Sequence, residues 1–360
     1  MWDSELTPWN AADMGTKRDI TGELEKAIRK RGMKFVATFH HARNLLWQKG
    51  DGEWAGHYQW VKDHYPQLLE DPQLAFLYGY MEPAEFHKLW KDKLVEVIDN
   101  YQPDLIWFDS WLHEIPEKTR FEFAAYYYNQ AREWGREVVI TRKQDDLPLS
   151  FSVEDWEMGR ADTLTENVWL TDDTITNGSW CYTRDIKIKE ADEVIDTMID
   201  IVSKNGQLLL NIAPMADGTI PDEQRKVILA MGDWLKVNGE AIYNTRPWLA
   251  YGEGPTKMKR GGHFVGKVLY GGKDIRYTRS KDGKTLYVTL LGEAEGPIAL
   301  NRVLARDSGK GKVSLLGSDA EIRHEITATG QLVIHPPKGE LPSPYAHSFR
   351  LTGFKLALAE

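Results

Sequence analysis

The stretch PAEFHKLWKDKLVEVIDNYQPDLIWFDSW, residues 83–111, decides the fold class of this chain. Apolar residues recur at helical spacing through its first part: Phe86, Leu89, Trp90, Leu94 and Val97. Pro103 ends that helix, and the apolar run at 105–108 is short enough for a buried strand. Because a strand interior does not tolerate an unpaired carboxylate, we expect Asp109 where the strand leaves the core.

Two interpretations of Asp109 are open at this point. Trp107 and Trp111 offer flat apolar faces beside the carboxylate, which suits a sugar ring whose reacting carbon faces the acid. The alternative is that Asp109 only caps a helix that begins directly after it. A single acidic strand end does not decide between a catalytic role and a capping role.

Helix, glycine turn and buried strand recur through the first two-thirds of the chain, which predicts an α/β fold with a parallel sheet. The clearest strands are FVATF, LIWF, VVIT and QLLLN, with a weaker one near TENVW. These are too few for a closed TIM-type (β/α)8 barrel, so we predict an incomplete barrel. Chemistry in such folds gathers at the carboxyl ends of the strands. The polar residues expected there are His40, His41, Asp109, Arg142, the stretch 154–166, and Asn211.

The pattern changes at about residue 243. DIRYTRSKDGKTLYVTLL contains two strands around Asp282 and Gly283, which is a hairpin signal, and EIRHEITATGQLVIHPP repeats it around Gly330. No long helical pattern follows. We therefore predict two domains, a barrel domain at 1–242 and an antiparallel β-sandwich at 243–360.

Composition excludes several classes of function. The formal net charge of −9 disfavours nucleic acid or an anionic membrane as the main partner. A single cysteine, Cys181, excludes an internal disulfide and zinc sites built on several thiolates. No apolar run reaches transmembrane length and no signal segment follows Met1, so we expect a cytoplasmic protein.

A catalytic Asp109 requires a second carboxylate, and SVEDWEMGRAD supplies candidates in Glu154, Asp155, Glu157 and Asp162. A retaining glycosidase holds two carboxyl groups about 5–5.5 Å apart, one as nucleophile and the other as acid and then base. Apolar neighbours such as Trp156 favour the protonated acid. The alternative is that this acidic segment is only a solvated linker.

The adjacent histidines His40 and His41 suggest a metal site at first sight. Neighbouring residues on a strand point to opposite faces, so the two rings make a poor chelating pair. We expect one of them to form hydrogen bonds and the other to pack. The sequence therefore predicts no metal.

Four segments together resemble the glycoside hydrolase family 29 α-L-fucosidases: WFDS, GSWCY, SKNGQLLLNIAPMADGTIP and WLKVNGEAIYNTRPW. The likeness runs in matching order from Trp2 to about Trp248. It implies that Asp109 is the nucleophile and that Glu157 is the acid/base, with Glu154 as the reserve.

The same resemblance implies the substrate-binding residues. Trp107 and Trp180 correspond to aromatic residues of the family's fucose pocket, and Arg142 corresponds to an arginine near the nucleophile. His40 and His41 are candidates to line the pocket. The family implies retaining exo-hydrolysis of terminal α-L-fucose from fucosides and fucosylated oligosaccharides, without cofactor or metal.

The chain departs from the family pattern at its beginning. Family members carry a first strand that ends in a histidine and a second that ends in a His-His pair, and Met1 stands where the second should have ended. We therefore expect the first two βα units to be absent. Open sheet edges drive self-association, which predicts a homo-oligomer whose subunits cover the open side. A monodisperse monomer in light scattering would contradict that prediction.

Three functions follow from these observations. The first is an active α-L-fucosidase, the second a catalytically weak or inactive fucose-binding remnant, and the third a retaining glycosidase for a related sugar such as galactose. Hydrolysis of 4-nitrophenyl α-L-fucoside, lost in Asp109→Ala, separates the first from the second. The matching galactoside separates the third.

Overall fold

The computed structural model describes residues 1–45, 60, 62–71, 81–109, 111–258, 260–339 and 341–359. These residues form two compact units, Met1–Asp155 and Trp156–Glu360. No helix among them has the length and apolar character that a membrane crossing requires.

The first unit carries four parallel strands that pair in chain order. They are β1 (Val36–Phe39), β2 (Leu105–Phe108), β3 (Val139–Arg142) and β4 (Val153–Asp155). The helices are α1 (Ile20–Lys30), α2 (Gln67–Glu70), α3 (Pro83–Tyr101) and α4 (Glu117–Glu133), with short 3-10 helices at His41–Leu45 and Leu112–Glu114. The parallel α/β pattern predicted from the sequence is confirmed in this unit.

The predicted helix–strand pair around residues 83–108 forms as expected. Pro83 stands at the start of α3, where its missing N–H costs no hydrogen bond, and Gln102 ends the helix with a left-handed φ of 46°. The buried face of α3 includes Trp90, whose ring lies 5.9 Å from that of Phe108 on β2. Phe123 of α4 meets Phe108 edge to face at 5.4 Å. This aromatic cluster fixes the direction in which β2 leaves the core.

Two further parallel strands lie in the second unit. β5 (Trp169–Thr174) and β6 (Gly206–Asn211) pair over their full length, and β6 is the predicted QLLLN strand. The helices here are α5 (Ala191–Ser203) and α6 (Asp222–Asn238), followed by a 3-10 helix at Gly239–Ala241. Together the described residues contain six strands in parallel pairings, fewer than the eight of a closed barrel.

The remainder of the second unit is antiparallel, as predicted. Seven strands are hydrogen-bonded in the order β11-β12-β10-β13-β9-β8-β7. Their bounds are β7 Thr245–Glu253, β8 Ile275–Ser280, β9 Thr285–Leu290, β10 Ile298–Leu315, β11 Arg323–Ile326, β12 Gln331–His335 and β13 His347–Leu358. Both predicted hairpins are present, with Gly283 and Gly330 at positive φ in their turns. The domain boundary at 242/243 stays a prediction, although the first antiparallel strand begins at Thr245.

A buried ionic cluster joins α5 to β8 within the second unit. Asp200 is fully buried and accepts hydrogen bonds from Lys204 Nζ at 2.9 Å and from Arg276 Nε at 2.7 Å. Asp196, one turn earlier, is also buried, and its Oδ1 has no hydrogen-bond partner among the described residues. Burial, aided by the charge of Asp192, raises the pKa of Asp196 to about 8.

This raised pKa predicts how the stability of the protein changes with pH. Between its ordinary value near 3.8 and about 8, Asp196 holds a proton in the folded chain but not in the unfolded chain. Stability conferred by the neutral group is therefore lost as pH rises through that window. We expect Asp196→Asn to match the natural chain near pH 4 and to be more stable at pH 9 by on the order of 2 kcal/mol. Denaturant unfolding at both pH values measures this, with Asp233→Asn on an exposed helix surface as the control. Parallel pH profiles for the natural chain and Asp196→Asn would contradict it.

Candidate active site

Asp109 lies at the carboxyl end of β2 and does not cap a helix. Its backbone N–H donates to the carbonyl of Phe39 at the end of β1, 3.3 Å away. The next helix, α4, begins only at Glu117 with Pro116 at its N-cap, and the intervening 3-10 helix has no side-chain cap. The capping interpretation of Asp109 is therefore wrong. The side chain is 21% exposed, so the carboxylate remains accessible.

Two groups that can carry positive charge face the two oxygens of Asp109. His40, at the end of β1, places Nε2 3.6 Å from Oδ2, and Lys143, just after β3, places Nζ 3.4 Å from Oδ1. Because the carboxyl ends of parallel strands meet at one edge of the sheet, residues far apart in sequence converge here. The side chain of His40 is 55% exposed, whereas that of Lys143 is only 2% exposed.

Lys143 also contacts a second carboxylate, that of Asp155 at the end of β4. Its Nζ lies 3.7 Å from Asp155 Oδ2 and 4.9 Å from the centre of the Trp107 ring. Trp107 Nε1 donates to the same Oδ2 at 3.0 Å. Asp155 is completely buried on a strand, so this part of the acidic segment is not a solvated linker. His40 contacts both Asp109 and Trp107, because its Nε2 faces Asp109 Oδ2 and its ring lies 5.5 Å from that of Trp107.

Arg142 occupies a different position from the one that its predicted role suggests. Its Nη1 donates to the carbonyl of Leu147 at 2.6 Å and lies 3.4 Å from Asp145. Its Nη2 lies 4.0 Å from the carboxylate of Glu154, the reserve acid/base candidate. Arg142 thus holds the loop after β3 and faces Glu154, while the neighbouring Lys143 is the cation that contacts Asp109. The signal in the sequence was a second basic residue at the end of VVITRK.

The two adjacent histidines have separate surroundings. His41 stacks on Trp90 at 6.0 Å, and its Nε2 lies 3.2 Å from the Trp90 carbonyl. Burial lowers the pKa of His41 to about 3, so the ring is neutral at physiological pH. His41 therefore packs and His40 faces Asp109, the division of roles expected from strand geometry. Across the described ranges, no group of three or more histidine, cysteine, aspartate or glutamate side chains is arranged to hold a metal ion.

Glu157 lies in the second unit, on a segment anchored by its backbone. Its N–H donates to His263 Nδ1 at 3.0 Å, and its carbonyl accepts from Phe264 N at 2.9 Å. The preceding Trp156 stacks on Trp169 at 4.8 Å, and the following Met158 has a left-handed φ of 44°. The side chain of Glu157 is half-buried. A rigid backbone on both sides suits a residue that must hold one orientation.

Trp180 also belongs to the second unit, in the loop after β5. Its carbonyl accepts from Asn211 Nδ2 at 2.9 Å, and the same amide donates to Thr174 at 3.2 Å. Asn211, a predicted polar strand end, therefore fixes the backbone of this loop. The indole of Trp180 is half-buried.

The structure thus brings some of the predicted site residues together. The first unit gathers His40, Trp107 and Asp109 at one edge of its sheet, with Arg142 facing Glu154 beside them. Glu157 and Trp180 are positioned within the second unit. Lys143 had no predicted role, and Asp155, one of four candidates for the second carboxylate, is instead a buried partner of Lys143 and Trp107.

Comparisons with known proteins give this arrangement a context. A family model described as Alpha-L-fucosidase matches residues 1–240. The tissue alpha-L-fucosidase of Bos taurus is 29% identical over an alignment that covers 98% of this chain and 69% of the bovine protein.

Solved structures share the fold. The Thermotoga maritima alpha-fucosidase in complex with a mechanism-based inhibitor has a TM-score of 0.69 at 23% identity, covering 98% of this chain and 72% of that one. A family 29 α-L-fucosidase from Bacteroides thetaiotaomicron, trapped as a covalent intermediate, has a TM-score of 0.68 at 19% identity, covering 99% of this chain and 76% of that one.

These likenesses confirm the predicted fold class, an incomplete (β/α)8-type barrel followed by an antiparallel β domain. They also confirm the predicted enzyme class, a glycoside hydrolase of the α-L-fucosidase type. The family model covers two-thirds of the chain and includes every predicted site residue. The chain therefore belongs to the alpha-L-fucosidase family.

Proposed function

We propose that this chain removes terminal α-L-fucose from fucosides by a retaining double displacement, with Asp109 as nucleophile and Glu157 as acid/base. The observation that carries the proposal is the position of Asp109 at a strand end, accessible and held between His40 and Lys143. A nucleophilic carboxylate must be fixed in direction, and polar partners at both of its oxygens restrict its rotation.

In the first step, a carboxylate oxygen of Asp109 attacks the anomeric carbon. The bond from that carbon to the aglycone oxygen breaks, and Glu157 gives its proton to that oxygen. The product is a fucosyl ester of Asp109. In the second step, Glu157 takes a proton from water as the water oxygen attacks the same carbon, and Asp109 leaves as a carboxylate.

Of the remaining predicted residues, His40 and Trp180 bind the sugar in this proposal, whereas Trp107 and Arg142 position other groups. The exposed His40 and the half-buried Trp180 offer a hydrogen-bonding group and an aromatic face. Trp107 acts mainly by orientation, because its residue is only 6% exposed and its indole N–H already donates to Asp155. Arg142 supports the loop and Glu154.

Related proteins support the chemistry. The covalent intermediate trapped in the Bacteroides thetaiotaomicron α-L-fucosidase is the species that a double displacement requires. The fucose complex of the Thermotoga maritima enzyme supports a fucoside as substrate. Self-association and the cytoplasmic location remain predictions.

Hydrolysis of 4-nitrophenyl α-L-fucoside followed by proton NMR tests this proposal. Retention predicts that α-L-fucose forms first and mutarotates afterwards. The matching galactoside, tested in parallel, is expected to react more slowly. First formation of the β anomer, or preferential cleavage of the galactoside, would overturn the proposal.

A further inference from the structure

A deeply buried ammonium group, that of Lys143, lies near two carboxylates at the Asp109 site. Lys143 Nζ is 3.4 Å from Asp109 Oδ1 and 3.7 Å from Asp155 Oδ2, and the side chain is 2% exposed. A cation removed from water at such a cost persists only when counter-charges compensate it. Two carboxylates supply more negative charge than one ammonium needs.

We propose that Lys143 is a catalytic residue that stabilises Asp109 as the leaving carboxylate when the fucosyl-enzyme is hydrolysed, and that Asp155 is its permanent counter-ion. The proposal rests on the proposed function, in which Asp109 is the nucleophile. It extends that function by naming Lys143 as the residue whose charge accelerates the second step, the hydrolysis of the fucosyl-enzyme.

The charged groups around Lys143 and Asp109 come from the ends of all four strands of the first unit. His40 after β1 faces Asp109 Oδ2, Asp109 follows β2, and Asp155 closes β4. Arg142 and Glu154, from β3 and β4, face each other at 4.0 Å. Lys143 therefore faces Asp109 Oδ1 from the buried side, which leaves Oδ2, beside the exposed His40, as the oxygen that attacks the sugar.

The charge on Asp109 changes during the reaction cycle, while that on Asp155 does not. When Asp109 becomes an ester it loses its negative charge, whereas Asp155 keeps its charge beside the ammonium of Lys143. When water attacks the anomeric carbon, the carbon–oxygen bond to Asp109 breaks and the electron pair returns to its carboxylate. Lys143 then faces a developing negative charge in a nearly dry environment, where a fixed donor has its largest effect.

The two steps should respond differently to Lys143. The ammonium stabilises free Asp109 at least as much as the transition state for its attack, so it gives little acceleration of the first step. It stabilises the departing carboxylate, so it accelerates the second step.

The test uses Lys143→Met in the full chain with 2-chloro-4-nitrophenyl α-L-fucoside, whose good leaving group keeps the first step fast, so that a slower second step becomes visible. We expect kcat to fall about 100-fold, KM to fall with it, and kcat/KM to change little. A burst of 2-chloro-4-nitrophenol should appear in stopped-flow traces as the fucosyl-enzyme accumulates. Lys143→Arg should restore part of kcat.

Lys204 provides a matched control for the loss of a buried ammonium. Its side chain is 1% exposed, it pairs with Asp200 at 2.9 Å, and its Nζ lies 4.8 Å from the Tyr251 ring. Lys204→Met is expected to lower the melting temperature without creating a burst. The inference is wrong if Lys143→Met behaves in the same way.

Asp155→Asn provides a second test that preserves the acceptor for Trp107 Nε1. In Asp155→Asn, esterification of Asp109 removes the second of two negative charges near Lys143, so the first step should slow and kcat/KM should fall with no burst. A burst in Asp155→Asn would overturn the assigned roles even if Lys143→Met did not fold. If Asp109→Ala is inactive but Lys143→Met and Asp155→Asn show no kinetic change, the role of Lys143 is wrong and the proposed function stands. If Asp109→Ala is fully active, the proposed function itself is wrong.

Discussion

Replacing Asp109 with alanine is expected to lower kcat for 4-nitrophenyl α-L-fucoside by about 10⁴-fold or more. The variant has no carboxylate to form the covalent intermediate, and water lacks a base on the nucleophile side. The fold should persist, because Asp109 is partly exposed and its backbone N–H still donates to Phe39. Initial rates of nitrophenol release measure the effect.

Added azide sharpens this experiment, because a small anion can occupy the space that the Asp109 side chain leaves. Azide should restore part of the rate and give fucosyl azide of inverted configuration, since one displacement replaces two. Asp92→Ala is the control, since Asp92 pairs with Lys88 on the surface of α3 and should leave activity within about twofold. Activity of Asp109→Ala within tenfold of the natural chain, without azide, is the opposing result.

The second large effect is expected for Glu157→Gln. Loss of the acid should slow cleavage of a substrate with a poor leaving group, such as a fucosyl disaccharide, by about 10²- to 10⁴-fold. An aryl fucoside with a good leaving group needs little protonation, so its first step should slow much less. The dependence of kcat/KM on leaving-group acidity measures this difference.

Glu154→Gln is the matched variant for that experiment, because it makes the same change at a nearby glutamate. Glu154 lies on β4 and faces Arg142. It should show a smaller loss that does not depend on the leaving group. If Glu154→Gln shows the leaving-group dependence and Glu157→Gln does not, the acid/base is Glu154.

The elements around Asp109 could be predicted because short-range chemistry determines them. The apolar spacing of α3, the stop at Pro103 and the apolar run before Asp109 each act locally. β10 could not be predicted in the same way, because residues 307–311 carry a turn signal inside it. The structure accommodates that signal as a register shift between Asp307 and Lys312 in one long strand.

The contacts of the site required more than sequence spacing. The resemblance suggested Arg142 as the cation near the nucleophile, but the backbone turn after β3 directs Arg142 to Leu147 and Lys143 to Asp109. Asp155 appeared as one acid in an acidic segment, yet its strand buries it completely against Trp107. Such contacts depend on the alignment of four strands, which no single segment encodes.

The most direct measurement of the central claim is mass spectrometry of the chain after inactivation with 2-fluoro-fucosyl fluoride. The 2-fluorine slows both steps, and the fluoride leaving group keeps the first step faster than the second, so the fucosyl-enzyme should accumulate and survive proteolysis. We predict one 2-fluoro-fucosyl adduct, on Asp109 in the peptide that contains LIWFDSW. An adduct on another carboxylate, or full turnover of fucoside by a chain that never acquires one, would contradict the assignment of Asp109 as the nucleophile.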